Sequence, residues 1–203
     1  MALTLIKEDG SGKVDANSYA SVADGDEYHD GHLYKADWSL ADTDKKATAL
    51  VMATRLIDAE YQFGGVRGTL AQALQWPRSD CREPDGGTAG FGANNAARVA
   101  ARGVNADGGD LIELLNAEWT VPGNLIPKGV VEATCEMARE LLIADRSATP
   151  EGEGLKYIND GALQKGYDKA DKRPVISPVA QAMLAKYGTL INAKSGTVRL
   201  VRA

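Results

Sequence analysis

Between Thr43 and Gln62, the residues Ala47, Leu50, Val51, Thr54, Ile57 and Tyr61 recur at steps of three and four. That spacing puts them on one face of an α-helix, with Lys45, Lys46, Arg55 and Glu60 mostly off the stripe. A one-sided helix of this length must bury its stripe against another element, and the chain offers a counterpart. Pro127, a favoured first helical residue, precedes Val131, Thr134, Cys135, Ala138, Leu141 and Leu142 on one face of a second helix running to about Asp145. The two helices are expected to pack on each other, the first ending at Gly64-Gly65, where a residue free to take positive φ allows the chain to turn.

Shorter elements surround this pair. Leu3 and Leu5 followed by Asp9-Gly10-Ser11-Gly12 suit a short strand or extended arm and a turn. Ser21, with Asp24 at the third helical position, forms a capping-box variant that starts a short helix to about His29 or His32, weakened by Gly25. Leu155 to Ile158 and Leu163 to Tyr167 flank Asn159-Asp160-Gly161 as a hairpin with Asp-Gly at its turn. Ser177-Pro178 caps a third helix with Val179, Met183, Leu184 and Tyr187 as its stripe and Gly188 as its stop. Ser79 to Asn124 is punctuated by Pro84-Asp85-Gly86-Gly87, Gly90-Phe91-Gly92 and Asp107-Gly108-Gly109, and reads as loop with short helical pieces at about 94–102 and 110–119. The expected fold is mainly α: a small helical bundle of about three main helices with a β-hairpin, a long central loop and extended N- and C-terminal arms. All of it forms a single domain over 1–203, with 79–124 as a loop insertion and 189–203 as a C-terminal docking arm.

Composition narrows the function classes. The longest apolar runs, such as Leu141-Leu142-Ile143-Ala144, fall far short of the ~20 residues of a membrane span, and the N-terminus lacks the basic start and apolar length of a secretory signal. A soluble, cytosol-assembled protein with both cysteines reduced is therefore expected. Residues 1–63 hold 12 acidic and 6 basic side chains, whereas 156–203 hold 9 basic and 3 acidic. An acidic body argues against coating nucleic acid by counterion release, while the basic C-terminal quarter suits docking on an acidic partner.

Catalytic and ligand-binding signatures are weak. His29 and His32 stand among Asp24, Asp26, Glu27 and Asp30, but with no third ligand in prospect they read as a solvated acidic face, not a metal site. Gly10-Ser11-Gly12-Lys13 lacks the spacing, the following Ser or Thr and the helix of a phosphate loop, and no frame around Asp24 or Asp26 satisfies a calcium loop. No Gly-x-Ser-x-Gly elbow occurs, Cys81 reads as incidental and Cys135 as a small core hydrophobe. The expectation is no enzyme, no cofactor and no metal.

One segment stands out. Gln72-Ala73-Leu74-Gln75-Trp76-Pro77-Arg78 sets an indole, a proline and a guanidinium side by side. Pro77 favours an extended path before it, which lets Trp76 lie against the helix pair while Arg78 points away. Trp76 as a base-stacking platform with Arg78 on a phosphate is one reading; Trp76 as an aromatic anchor that closes the loop onto the core is the other, and the preferred one.

Taken in order, Val14-Asp15-Ala16-Asn17-Ser18-Tyr19-Ala20-Ser21-Val22-Ala23-Asp24, a turn with Trp38, the Ala49 to Asp58 helix, Gln72 to Arg78, and Ile126-Pro127 leading to Val131-Glu132-Ala133-Thr134-Cys135-Glu136 resemble the head–tail connector, or adaptor, proteins of tailed bacteriophages. Some members carry the label DnaT-like single-stranded DNA-binding protein. The resemblance covers 8–78 and 125 to about 145, and is weaker through the hairpin and C-terminal helix. It implies a virion protein at the head–tail interface, assembled in the bacterial cytoplasm: a homo-oligomer, usually a dodecameric ring, under the portal protein. Such a ring extends the DNA channel without sequence-specific binding and receives tail or neck proteins. It also implies a C-terminal segment that reaches along the portal, a role for Thr197, Val198, Arg199, Leu200, Val201 and Arg202, whose alternation suits β-augmentation. Single-stranded DNA binding is the alternative function.

Overall fold

The computed structural model describes residues 3–82, 120–148, 157–160, 163–166 and 174–191. These contain five helices and three two-stranded antiparallel sheets: α1 (Val22–Asp30), α2 (Ala36–Leu40), α3 (Thr43–Glu60), β1 (Tyr61–Phe63), β2 (Val66–Arg67), β3 (Arg78–Ser79), α4 (Lys128–Ile143), β4 (Tyr157–Asp160), β5 (Leu163–Gly166), α5 (Pro178–Leu184) and β6 (Gly188–Leu190). The helices carry the core as expected, but β1, β2, β3 and β6 are strands at positions where the sequence suggested none.

α4 is the central helix, packed by α3, α5, α1 and α2. Its middle is buried on more than one face, with Val130, Ala133, Thr134, Cys135, Glu136, Met137 and Ala138 all inside, so the anticipated single stripe was too narrow. The α3 stripe from Ala47 to Ile57 is buried as its periodicity requires, with Ala49 and Ala53 added. The Asp42 side chain caps α3 by accepting from Lys45 N at 2.7 Å. α3 ends earlier than the glycine pair suggested. Tyr61 is already extended, at φ −111°, because Tyr61 and Phe63 alternate inward with Gln62 outward and pair with β6, Tyr61 opposite Leu190. For the same reason α5 stops at Leu184, and Gly188 opens a strand instead of ending a helix. Within α5, Ala180 and Leu184 face the core while Val179 is exposed, a correction to the expected stripe.

α1 begins with the anticipated capping box: Asp24 N donates to Ser21 Oγ at 3.2 Å, and Asp24 Oδ2 accepts from Ser21 N at 2.6 Å. Gly25 serves packing, since a Cβ there would lie 2.4 Å from the Trp38 ring. Trp38 of α2 is buried and donates from Nε1 to Asp26 Oδ1 at 2.8 Å. The N-terminal segment lies on the body, with Lys7 bridged in parallel to Ser18 and Ile6 accepting from Asn17 N at 2.9 Å. Residues 79–82 and 120–124 are also part of the body. Arg82 pairs with Thr120 in an antiparallel bridge, and Val121 N donates to Cys81 O at 2.8 Å. Residues 83–119, most of the expected 79–124 insertion, lie outside the described residues. The hairpin forms in register, Asp160 opposite Leu163, so strand β4 continues through Asn159 and Asp160, which the sequence had put at the turn.

Candidate functional site

The Gln72–Arg78 segment is where sequence reasoning placed its only candidate nucleic-acid contacts. It is built inward. Gln72 is buried and staples its own loop: its Nε2 donates to Leu74 O at 2.9 Å and Pro77 O at 3.0 Å, and its Oε1 accepts from Thr69 N at 2.8 Å. Trp76, at 0% exposure, packs edge-on against Phe63 at 5.7 Å and Tyr187 at 6.1 Å between ring centroids. Its Nε1 has no hydrogen-bond partner among the described residues. No face of the indole is open for a base to stack on.

Arg78 does not point away. It is 5% exposed. Its Nε donates to Gly64 O at 2.7 Å, Nη2 to Gly65 O at 2.8 Å, and Nη1 to Gln75 O and Oε1 at 3.2 and 3.1 Å. The guanidinium is thus the hub that joins the turn after β1 to the turn before β3, and burial lowers its pKa from the usual value. The outward path expected for Arg78 fails because carbonyls of two turns converge on one point, and a five-donor fork satisfies them there.

Behind the segment stands Asp58, whose carboxylate accepts from Tyr19 Oη at 2.5 Å and Gln75 N at 3.1 Å. Burial pushes its pKa up to about 6, outweighing those two bonds and the nearby Arg67 and Arg78 charges, which act in the opposite direction. The Tyr19 phenol is also raised well above its ordinary value, first by burial and then by Asp58.

The expected solvated acidic face holds for Asp26, Glu27 and Asp30, which are exposed, but not for His29. His29 is buried, its ring tilted against Trp38 with centroids 4.7 Å apart, and its Nε2 lies 3.1 Å from Cys135 O. That contact makes Nε2 the protonated nitrogen, and burial lowers the pKa of the ring. His32 Nε2 lies 3.9 Å from Oε2 of the buried Glu136, whose other oxygen accepts from Arg139 Nη2 at 2.7 Å. Among the described residues no group of three or more His, Cys, Asp or Glu side chains is placed to hold a metal ion. The Cys135 thiol is pushed up to about 12 by burial, and Cys81 is buried as well.

Large apolar side chains face solvent at several separate places, Leu3, Ile143, Val179 and Ile191 among them. Leu33, Tyr34 (72% exposed) and Leu40 lie at and between α1 and α2, Val66 lies in β2, and Val14, Leu70 (100% exposed) and Leu125 lie on loops. Sequence reasoning missed them, because the exposure of an isolated Leu, Val or Tyr leaves no periodicity to read. Thr197, Val198, Arg199, Leu200, Val201 and Arg202, the candidate docking strand, lie outside the described residues. Of the 189–203 arm, Thr189 and Leu190 belong to β6.

Residues 3–89 match the model of a protein family described as "Putative DnaT-like ssDNA binding protein". The match takes in α1, α2, α3, the three β-strands that follow and the Gln72–Arg78 segment, and leaves α4 and α5 outside it. No curated protein and no solved structure matches the chain.

Proposed function

We propose that the chain is a non-enzymatic structural subunit of a tailed-bacteriophage virion, a head–tail connector that forms a ring under the portal and joins it to tail or neck proteins. The carrying observation is the burial of Trp76 and Arg78. The two side chains of the Gln72–Arg78 segment read as possible DNA contacts are locked into the fold, as suits a part that works by shape and contact. Exposed apolar side chains such as Tyr34, Leu40, Leu70 and Leu125 agree with this, since a ring subunit needs surface to meet its neighbours. The acidic body agrees with a channel wall along which DNA moves without adhering. The test is electron microscopy of the purified protein mixed with its cognate portal, alongside a chain ending at Gly196. A coaxial ring on the portal, lost on truncation, is the expected result; no complex under assembly conditions removes the reading.

Single-stranded DNA binding is the second reading, and the description of the matching family favours it over the connector. With Trp76 and Arg78 inside, its contacts fall elsewhere, for example on exposed Tyr34 beside Lys35. Fluorescence anisotropy with a labelled oligonucleotide at low and moderate salt decides it. Binding that weakens steeply with salt and is reduced in Y34A supports the second reading, and no binding at low salt ends it.

A further inference from the structure

The loop after Glu8 is folded around a negative charge. Gly10 and Gly12 have φ of +98° and +75°, a left-handed geometry that turns the N–H groups of Gly10, Gly12 and Lys13 toward one point while Ser11 N donates to Asp9 Oδ1 at 3.1 Å. The Glu8 carboxylate occupies that point at 0% exposure. Its Oε1 accepts from Gly10 N at 3.0 Å and Gly12 N at 2.9 Å, and its Oε2 from Lys13 N at 2.8 Å. Lys13 Nζ is held beside the nest by Asp9 Oδ2 at 2.8 Å and Lys7 O at 3.1 Å. Neighbouring loops fix the shape: a Cβ on Gly10 would lie 1.9 Å from Asn124 O, and Thr69 and Gln72 stand against Gly12. The Gly10-Ser11-Gly12-Lys13 run fails every sequence test for a phosphate loop, yet it supplies convergent amide donors and an adjacent lysine.

We propose that the Gly10–Lys13 loop is an anion-binding site whose resident ligand is the Glu8 carboxylate, and that it accepts a phosphate oxyanion once that carboxylate is withdrawn. Glu8 belongs to the N-terminal segment, which is held by Glu8 N donating to Ser18 O at 2.9 Å and by the Lys7–Asp24 ion pair at 2.7 Å. A phosphate-bearing ligand therefore competes with this segment for the nest. Without either anion, three N–H groups lose their acceptor, which is costly for the buried Gly10 donor and less so for the half-buried Gly12 and Lys13 donors.

The test compares thermal unfolding of the full chain as wild type, Glu8→Ala and Glu8→Gln, in chloride and in inorganic phosphate at matched ionic strength. Glu8→Ala is expected to melt lower than wild type in chloride and to recover by about 3 °C or more, saturably, in phosphate. Wild type and Glu8→Gln, whose side chains fill the nest, are expected to shift far less. If Glu8→Ala is unfolded in chloride, refolding in phosphate is the expected rescue. A phosphate shift in Glu8→Ala no larger than that of wild type, or no folding in either salt while Glu8→Gln folds, overturns the proposal.

Discussion

The Tyr19 hydroxyl donates to Asp58 over 2.5 Å, and the same oxygen accepts from the backbone N–H groups of Gln75 and Trp76 at 3.0 and 3.2 Å. One phenol thus ties the segment before α1, the end of α3 and the Trp76 turn. Tyr19→Phe keeps the ring and its packing but removes a donor and an acceptor from a buried site. It leaves the Trp76 N–H and one carboxylate oxygen without their present partner. The expected loss is about 1–3 kcal/mol, read as a lower urea midpoint with unchanged m-value.

Asp58 gives stability a pH dependence of unusual sign for a carboxylate. Its pKa is raised from 3.8 to about 6 on folding, so the folded state binds the proton more tightly than the unfolded chain. Its contribution is fully present below about pH 4 and is lost as pH rises through about 6. Asp58→Asn removes this titration. The stability of wild type relative to Asp58→Asn is expected to fall by roughly 2–3 kcal/mol at most between pH 4 and pH 7.5. Denaturant titrations of both proteins across that range check it; a difference that is flat, or that grows with pH, contradicts it.

What the sequence made legible was local. The α3 stripe, the Ser21–Asp24 capping box and the Ser177-Pro178 start of α5 each depend on residues within a few positions of one another, and each lies where that spacing put it. The failures were long-range. Tyr61 and Phe63 become a strand because Gly188–Leu190 lies alongside, and His29 leaves solvent because Trp38 and the Cys135 carbonyl close over it. Arg78 turns inward because Gly64 and Gly65, more than ten residues away, present carbonyls. The Glu8 nest is the exception. Its whole signal lies in Glu8 to Lys13, a carboxylate followed by two glycines able to take positive φ, and a search confined to known phosphate-loop spacings passes over it.

Glu136 and Arg139 form a pair one turn apart on α4, 2.7 Å between Nη2 and Oε1, with the Glu136 side chain 2% exposed. Arg139 also reaches Glu140 at 2.9 Å, which holds Arg146 at 2.8 Å, so the arginine completes a chain of charges. Arg139→Ala leaves a buried carboxylate without its cation and is expected to cost about 3–5 kcal/mol. Glu136→Gln leaves Arg139 its Glu140 partner and is expected to cost clearly less. Equal losses in chemical denaturation would mean that packing of the two stems, and not charge, sets the stability here.

Trp76 and Arg78 separate structural from DNA-contacting roles. Trp76→Ala opens a cavity beside Phe63 and Tyr187 and is expected to cost about 3–5 kcal/mol. Arg78→Lys keeps the charge but loses the fork that reaches the Gly64, Gly65 and Gln75 carbonyls together, so it is expected to behave much like Arg78→Ala in stability. A phosphate contact predicts the opposite pattern: Lys would retain most binding, and neither substitution would move the unfolding midpoint by much. Measuring the midpoint and oligonucleotide anisotropy on the same four proteins distinguishes the two. The buried geometry requires that stability falls in all three variants, and that any DNA binding by wild type persists in whatever fraction of each variant remains folded.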